Sequence, residues 1–305
     1  MKTISMYELA GKVAIVTGCA REQGIGRATA NRLAVEGCKV VLTDVGRRPD
    51  LNPDYVVGSL DELDEAAAEV SERGGTATAI AADVTDPASV QNLVDQAVEA
   101  FGGVDILVNV AGVGMGAPFL EMPLDVWNHV IAVNTTGPML CAQAAAKQMV
   151  EQGRGGRIVT VASQAAKIGG TNRPRPVDAL PPTEEELLVG RSGGGGVYAV
   201  SKAAAMMLTR MLAFELAPHQ VTVNAVCPGF VDTQLLMGGV EMRAEEMGVS
   251  MEEWLPNFVK NTIPLGRMQT GDDVADLIAF LCSDQASYMT GQAINTTGGT
   301  ELHSG

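Results

Sequence analysis

The chain has 305 residues, of which 46% are hydrophobic, which is enough for one large domain with a buried core. Aromatic residues make up only 4%, so we expect a core of Ala, Val, Leu, Ile and Met, a composition that suits helices packed on a parallel sheet. A formal net charge of −15 argues against nucleic acid or an anionic membrane as a partner. Charge of this size says nothing about the reaction.

The cysteines and histidines show no metal-binding pattern. The five cysteines form no CxxC pair and are predicted to be reduced thiols; they are Cys19, Cys38, Cys141, Cys227 and Cys282. The three histidines share no metal-ligand spacing, so we expect no metal. We find no signal peptide and no apolar run of membrane-spanning length, so the sequence predicts a cytoplasmic protein.

Short β-branched runs alternate with longer Ala-rich helical stretches, the pattern of βαβ units. The predicted strands are Val13–Thr17, Lys39–Asp44, Ala77–Ala81, Asp105–Asn109, Arg157–Ala162, Val221–Val226 and Ala293–Asn295. The predicted helices are Gly26–Glu36, Asp61–Arg73, Pro87–Phe101, Leu124–Gln152, Tyr198–Leu216 and Gly271–Cys282. Right-handed crossovers then predict an α/β fold with a doubly wound parallel sheet, a Rossmann-type three-layer sandwich, as a single domain over residues 1–305.

Three stretches interrupt this alternation: Val45–Leu60, Ile168–Val197 and Asp232–Thr262. Long insertions in a compact domain are usually lids or binding loops, or else disordered. The second and third follow strands at their carboxyl ends, where the ligand crevice of such a sheet lies. We therefore expect 168–197 to be an inserted loop near the active site and 232–262 to be a substrate lid.

A glycine-rich turn, Thr17–Gly26, follows the first strand and leads into a helix. Glycines at such a turn let the backbone approach a pyrophosphate, and the helix N-terminus supplies N–H groups and the positive end of its dipole. An ordinary tight turn is the alternative, but the order strand, glycines, helix favours dinucleotide binding.

A carboxylate, Asp44, ends the second predicted strand. It could accept hydrogen bonds from both hydroxyls of an adenosine ribose and would repel a 2′-phosphate, which favours NAD over NADP. NADP would be favoured instead by Arg21, Arg47 and Arg48, which are close in sequence and could pair with a phosphate. Asp44 could also simply cap a turn.

Tyr198 and Lys202 are four residues apart and share one face of a predicted helix. A free tyrosine has a pKa of about 10, and nearby cations, such as Lys202 and an oxidised nicotinamide, would lower it. Ser163 lies where the fifth strand ends, and its hydroxyl could donate to a carbonyl oxygen while Tyr198 transfers a proton. Any one of these residues could be structural, but together they indicate a catalytic site.

With these motifs, the chain resembles a short-chain dehydrogenase/reductase of the conventional type over essentially its whole length. The matching segments are Thr17–Gly26, Asp83-Val84, Asn109–Gly112, Asn134, Ser163, Tyr198–Lys202, Asn224–Gly229, Pro264–Arg267 and Thr290–Gln292.

The resemblance implies a role for each residue. Tyr198 would be the acid/base, Lys202 would lower its pKa and bind the nicotinamide ribose, Ser163 would orient the substrate carbonyl, and Asn134 would hold a proton-relaying water. Hydride would move directly between cofactor and carbon, without a metal. The cofactor-binding residues would be Gly18, Gly24, Ile25, Gly26, Asp44, Asp83, Val84, Asn109, Ala111, Gly112, Tyr198, Lys202, Pro228, Gly229, Val231 and Thr233.

Three features depart from the family pattern. The glycine turn has five residues, Cys19–Gln23, between its first two glycines, two more than usual. Thr297 stands where an Asp is usual. The loop between the catalytic Ser and Tyr is extended, since Ser163 and Tyr198 are separated by far more residues than in the family pattern.

The leading prediction is an oxidoreductase acting on a secondary alcohol or ketone, with a bulky alicyclic, steroid-like or aromatic substrate. The alternatives are a 3-oxoacyl thioester reductase and, from another class, a catalytically inactive NAD-binding sensor or scaffold. Arg173, Arg175 and Arg191 could bind a substrate anion or be solvated. The lid methionines could cover the substrate or be helix core; they are Met237, Met242, Met247 and Met251. The resemblance implies a homotetramer, with a homodimer as the alternative.

Overall fold

Seven parallel strands form one sheet in the order β3-β2-β1-β4-β5-β6-β7. The computed structural model describes residues 7–46, 58–117, 119–168, 196–234, 236–237 and 248–301. The strands are β1 Val13–Thr17, β2 Lys39–Asp44, β3 Thr76–Ala81, β4 Ile106–Asn109, β5 Gly156–Val161, β6 Val221–Pro228 and β7 Ala293–Thr296. Strand order reverses between β1 and β4, and in open α/β sheets ligands bind at the carboxyl side of such a reversal.

Helices cover both faces of the sheet. They are α1 Ile25–Val35, α2 Leu60–Glu72, α3 Pro87–Phe101, α4 Leu124–Ile131, α5 Gly137–Gln152, α6 Ala165–Ile168, α7 Val197–Leu216, α8 Met251–Thr262 and α9 Gly271–Cys282. Local sequence explains several of their starts: the side chain of Ser59 caps α2 in a capping box with Glu62, and Thr270 does the same for α9 with Asp273.

The core consists of two apolar layers separated by the sheet. On one face Val16, Val40 and Leu42 of the sheet pack with Leu33 of α1 and Ile278 of α9. On the other face the strands pack against α3 and α5, with members such as Ile15, Leu93, Leu107 and Met149. The interior strand β1 is buried at every position because both of its faces are covered, which explains the apolar run Val13–Val16.

The structure confirms the predicted doubly wound α/β fold and corrects one helix. The predicted helix Leu124–Gln152 is wrong as a single element: α4 and α5 are separated by a π-helical turn, Ala132–Thr136. A π-helical turn holds an extra residue, and this one carries Asn134. Periodicity alone does not reveal such an insertion, because apolar residues continue on both sides of it.

Most of the predicted insertions Val45–Leu60 and Ile168–Val197 lies outside the described residues, as do residues 235 and 238–247 of the predicted lid. Of the lid, the described residues include α8, in which no residue is fully buried. The arginines at positions 47, 48, 173, 175 and 191 also lie outside the described residues.

One helix corrects the expectation that no apolar run reaches membrane-spanning length. Residues 197–219, which comprise α7 and a short 3-10 extension, are long and apolar enough to cross a bilayer, with a mean hydropathy of 1.2 in their most apolar window. Core helices of globular proteins pass the same test. Here α7 packs against β6 of the sheet, so its apolar composition has an explanation within the fold.

Candidate active site

The four predicted catalytic residues lie around the carboxyl ends of β4 and β5. Ser163 follows β5 by two residues, Asn134 is in the π-helical turn, and Tyr198 and Lys202 are in the first two turns of α7. The long loop between Ser163 and Tyr198 does not separate them in space, because α6, which follows Ser163, packs on α7.

Lys202 is a buried cation, with only 5% of its surface exposed. Its Nζ donates a hydrogen bond of 2.9 Å to the carbonyl of Val161 at the end of β5, and lies 5.8 Å from the centre of the Tyr198 ring. Burial lowers the pKa of Lys202 from 10.5 to about 8, since water no longer solvates the ammonium. A Cβ added at Gly112 would lie 3.4 Å from this Nζ, so the backbone after β4 passes close to the cation.

Asn134 joins the segment after β4 to the start of α7. Its Oδ1 accepts from the Val113 N–H at 2.8 Å, and its Nδ2 donates to the Val113 carbonyl at 2.9 Å and to the Ser201 Oγ at 3.0 Å. Ser201 in turn donates to the carbonyl of Tyr198 at 2.7 Å. The sequence analysis missed Ser201, although it lies between Tyr198 and Lys202. These hydrogen bonds fix the turn of α7 that carries Tyr198 and Lys202.

Ser163 is held by the turn that it begins. Its Oγ accepts a hydrogen bond of 3.2 Å from the N–H of Ala165, the first residue of α6. The hydroxyl hydrogen remains available to donate to a carbonyl oxygen. Because Lys202 is bonded to Val161, two residues before Ser163, the ammonium and the serine turn share the end of β5.

The glycine-rich turn has the backbone shape that a dinucleotide needs. Gly18 has φ = +72°, and a Cβ there would lie 2.9 Å from the N–H of Ala111, so only glycine fits. A Cβ at Gly26 would overlap the Gly18 carbonyl. Thr17, whose role was not foreseen, accepts from the Val110 and Ala111 N–H groups at 3.0 Å each and joins this turn to the segment after β4. The first N–H groups of α1 face the turn behind Gly24, which has no side chain to cap them, so the residues present fit a pyrophosphate.

The structure explains the two extra residues of the turn. Cys19 and Ala20 are fully buried, and the Ala20 N–H donates to Asp44 Oδ2 at 3.0 Å. The Ala20 carbonyl accepts from Arg27 at 3.4 Å, and Arg27 forms an ion pair of 2.8 Å with Glu69 of α2. The first two residues of the longer turn are therefore folded inward, whereas Glu22 and Gln23 are exposed.

Asp44 has a structural role in addition to any contact with ribose. Its Oδ1 accepts from the Val45 N–H at 2.8 Å while its Oδ2 accepts from Ala20. Burial raises the pKa of Asp44, an effect that these N–H groups and the charge of Arg21 oppose. Each carboxylate oxygen can accept a second hydrogen bond, so the capping interpretation and ribose binding are compatible.

The other predicted cofactor residues follow the same edge of the sheet. Asp83 Oδ1 accepts from the N–H of Thr85 at 2.9 Å, Val84 packs against Gly137, and the buried Asn109 donates weakly to the Pro138 carbonyl at 3.4 Å.

The remaining predicted cofactor residues are Gly112, which lies beside Lys202, and those in the segment after β6. The Gly229 N–H donates to the Thr296 carbonyl at 3.1 Å, Val231 pairs with Gln269 in an isolated bridge, and Thr233 Oγ1 lies 3.5 Å from the Val231 carbonyl. Pro228 ends β6 beside Ser163, since its carbonyl accepts from the Gln164 N–H. The structure thus places the predicted residues of both halves along the carboxyl edge of one sheet.

All five cysteines are buried and free, as predicted. Among the described residues, no group of three or more His, Cys, Asp or Glu side chains could hold a metal ion. A glycine-rich turn before a helix and a Tyr–Lys pair at the same edge of the sheet are typical of nicotinamide-dependent oxidoreductases.

Two family models cover most of the chain. Residues 12–175 match the model described as short chain dehydrogenase, and residues 188–301 match the model described as Enoyl-(Acyl carrier protein) reductase. The chain belongs to the short-chain dehydrogenase/reductase family and is an oxidoreductase of that family, whose members use nicotinamide cofactors.

Curated relatives have similar lengths. A sorbitol dehydrogenase from Cereibacter sphaeroides is 34% identical, covering 95% of this chain and 98% of that protein. An L-rhamnose 1-dehydrogenase (NAD(P)(+)) from Azotobacter vinelandii is 36% identical, covering 95% and 97%. A 3-oxoacyl-[acyl-carrier-protein] reductase from Aquifex aeolicus is 34% identical, covering 96% and 98%. A solved short-chain type dehydrogenase/reductase from Mycobacterium marinum superposes with a TM-score of 0.76 at 34% identity, covering 98% and 99%.

Proposed function

We propose that the protein interconverts a secondary alcohol and a ketone with NAD, using Tyr198 as acid/base, Lys202 and Ser163 as its partners, and Asn134 as the organiser of the site. The observation that carries this proposal is the buried Lys202 ammonium, 5.8 Å from the Tyr198 ring and bonded to the end of β5 just before Ser163. A buried cation beside a phenol favours the phenolate, which is the form that removes a proton from an alcohol.

In the direction of oxidation, Tyr198 Oη takes the hydroxyl proton while Ser163 Oγ holds the substrate oxygen. A bound nicotinamide supplies the acceptor for the hydride. The charge of Lys202 lowers the free energy of the Tyr198 phenolate. Asn134 holds the start of α7 in place through its hydrogen bond to Ser201. The Asn134 side chain already makes three hydrogen bonds, so its contact with a relay water is a separate prediction that a ligand-bound structure would test.

The preference for NAD rests on Asp44. Its carboxylate ends β2 at the carboxyl edge and its oxygens keep further acceptor capacity for ribose hydroxyls. The charge of Arg21 lies near enough to lower the pKa of Asp44, and it would also attract a 2′-phosphate. NADP is therefore the alternative cofactor, and the ratio of the two activities measures which charge dominates.

For the substrate, we propose a bulky alicyclic, steroid-like or aromatic alcohol. Three of the chain's few aromatic residues form one group beside the segment that follows β6. Phe230 contacts Phe258 edge-on at 5.0 Å between ring centres, and Trp254 stacks on Phe258 at 4.8 Å. None of the three is fully buried, so apolar ring surface remains for a substrate.

The names of the curated relatives suggest other classes of substrate. A 3-oxoacyl thioester is the second candidate, because a 3-oxoacyl-[acyl-carrier-protein] reductase is among the relatives, and the sorbitol and rhamnose dehydrogenases add polyols and sugars. The test is a panel of apolar cyclic alcohols, polyols, sugars and a 3-oxoacyl thioester, with NAD(H) and NADP(H), followed at 340 nm. Highest kcat/KM for a cyclic alcohol with NAD supports the proposal. Best activity on the thioester with NADPH favours the second candidate, and binding of NAD without turnover of any compound favours the sensor.

We also propose that the protein forms a homo-oligomer, a homotetramer as the family resemblance implies. Four apolar side chains, Val200, Met207, Met211 and Phe214, are exposed along one face of α7, and Phe214 is 86% exposed. Their spacing of seven, four and three residues places them in one stripe. A second copy of α7 offers the matching apolar surface, since a symmetric interface uses the same patch on both subunits.

A further inference from the structure

The turn that follows Ser163 is bonded to the C-terminal end of the described chain. Gln164 is buried; its N–H donates to the Pro228 carbonyl at 2.9 Å, and its Oε1 accepts from the Thr300 Oγ1 at 2.5 Å. The residue next to the predicted catalytic serine thus contacts both the end of β6 and the segment after β7.

A second connection runs from Lys167, in α6, to β7, the strand that precedes this segment. Its Nζ donates to the Ala293 carbonyl at 2.9 Å and to Asn295 Oδ1 at 2.6 Å. The amide of Asn295 donates in turn to the carboxylate of Glu301, which is buried with 6% of its surface exposed. A buried carboxylate is costly unless it is hydrogen-bonded and compensated by a positive charge. Asn295 supplies the hydrogen bond, and Lys167 supplies the charge at the other end of the amide.

These contacts bear on Ser163 because α6 is a single turn. Ala165–Ile168 comprises four residues, and one helical turn is not stable by itself. Its position is therefore set by tertiary anchors, of which Lys167 is one. The N–H of Ala165, which begins this turn, is the group that bonds the Ser163 Oγ. A shift of α6 would move the serine hydroxyl with it.

The same network lies against Cys227 of β6, next to the catalytic lysine. Burial raises the pKa of the Cys227 thiol, and the charges of Lys167, Lys202 and Glu301 all act on it, as does a backbone hydrogen bond from Ser163. Lys167, Lys202 and Glu301 are therefore all near Cys227.

We propose that Lys167, Asn295 and Glu301, named here the C-terminal clamp, are positioning residues that hold Ser163 for catalysis. The C-terminal clamp touches neither substrate nor cofactor and acts through α6. Thr297, which departs from the family pattern, lies beside the C-terminal clamp and exchanges weak hydrogen bonds of 3.4 Å with the backbone of Glu301. The inference rests on the proposed role of Ser163.

The experiment is a double-mutant cycle between the C-terminal clamp and Ser163. Lys167→Met and Glu301→Ala are made in the wild-type chain and in Ser163→Ala, and kcat, KM and the Kd for NAD are measured with the best alcohol of the panel. In the wild-type background we expect kcat to fall about tenfold or more, because small displacements of a catalytic group are costly. In the Ser163→Ala background the same substitutions should change kcat less than twofold, since the group they position is already gone.

The controls separate positioning from general damage. Lys167→Arg keeps two donors and should recover most of the lost kcat, and Lys147→Met, at an exposed site on α5, should leave kcat unchanged. If Lys167→Met fails to fold, Glu301→Ala in the wild-type and Ser163→Ala backgrounds still completes the cycle. Equal losses in both backgrounds, a raised Kd for NAD, or full activity of the clamp variants overturn the inference alone. Full activity of Ser163→Ala overturns the proposed role of Ser163 and the inference with it.

Discussion

Replacing the buried Lys202 by Met should change the pH dependence of stability in a defined direction. The folded chain holds this ammonium with a pKa of about 8, against 10.5 when it is solvated. One pKa unit corresponds to about 1.4 kcal/mol, so the folded state disfavours the charged form by about 3 kcal/mol. Between these two pKa values the unfolded chain carries a proton on Lys202 that the folded chain has lost. Unfolding then takes up a proton, and stability rises with pH.

The magnitude follows from the same two pKa values. Between pH 7 and pH 9.5 the wild-type chain should gain about 2 kcal/mol in free energy of unfolding relative to Lys202→Met. Loss of the donor to the Val161 carbonyl destabilises the variant equally at every pH, so it cancels in this comparison.

The assay is urea unfolding of the cofactor-free protein at both pH values and at one protein concentration. Lys147→Met, at an exposed site on α5, is the matched control and should show no such pH-dependent difference. A difference between wild type and Lys202→Met that stays constant from pH 7 to pH 9.5 would refute the argument that burial sets the charge of Lys202.

Three further outcomes are expected. Asp44→Ala should raise the ratio of NADP to NAD activity by removing the repulsion of a 2′-phosphate, and a wild type that already prefers NADP would contradict the reading of Asp44. Gly18→Ala should raise the Kd for NAD, measured by fluorescence titration, at least tenfold, because its Cβ would lie 2.9 Å from Ala111 N; an unchanged Kd would show that the turn does not cradle the phosphates. Phe214→Glu should convert the oligomer into smaller species in sedimentation velocity, whereas an active wild-type monomer at micromolar concentration would exclude the proposed assembly.

Much of the fold could be predicted because its signals are local. The apolar run Val13–Thr17 marks a strand buried on both faces, and Pro87–Phe101 begins behind a capping Asp86 and ends at Gly102 in the left-handed conformation, so its bounds were predicted correctly. The π-helical turn at Asn134 was missed because it inserts one residue without interrupting the apolar pattern.

The candidate site was predicted from the spacing of its residues. The long-range polar contacts that support the site were not predicted. The four-residue interval between Tyr198 and Lys202 places them on one helix face from sequence alone. The contacts of Lys167 with Asn295 and of Arg27 with Glu69 join residues far apart in the chain, and polar residues of these types are usually solvated at the surface. No single-sequence signal identifies such pairs. For Asp44, its position at the end of a strand predicted ribose binding. Its hydrogen bond from the Ala20 N–H could be recognised only in the folded structure.

The measurement that tests the central claim most directly is the turnover of Tyr198→Phe. The substitution removes only the phenolic hydroxyl, so initial rates at 340 nm with NAD and the best alcohol of the panel should fall by about 10²–10⁴-fold, the usual contribution of a general acid/base. The Kd for NAD should stay within about threefold of the wild-type value, because Lys202 and the glycine-rich turn are unchanged. Retention of more than about a tenth of the wild-type kcat would contradict the assignment of Tyr198 as the acid/base.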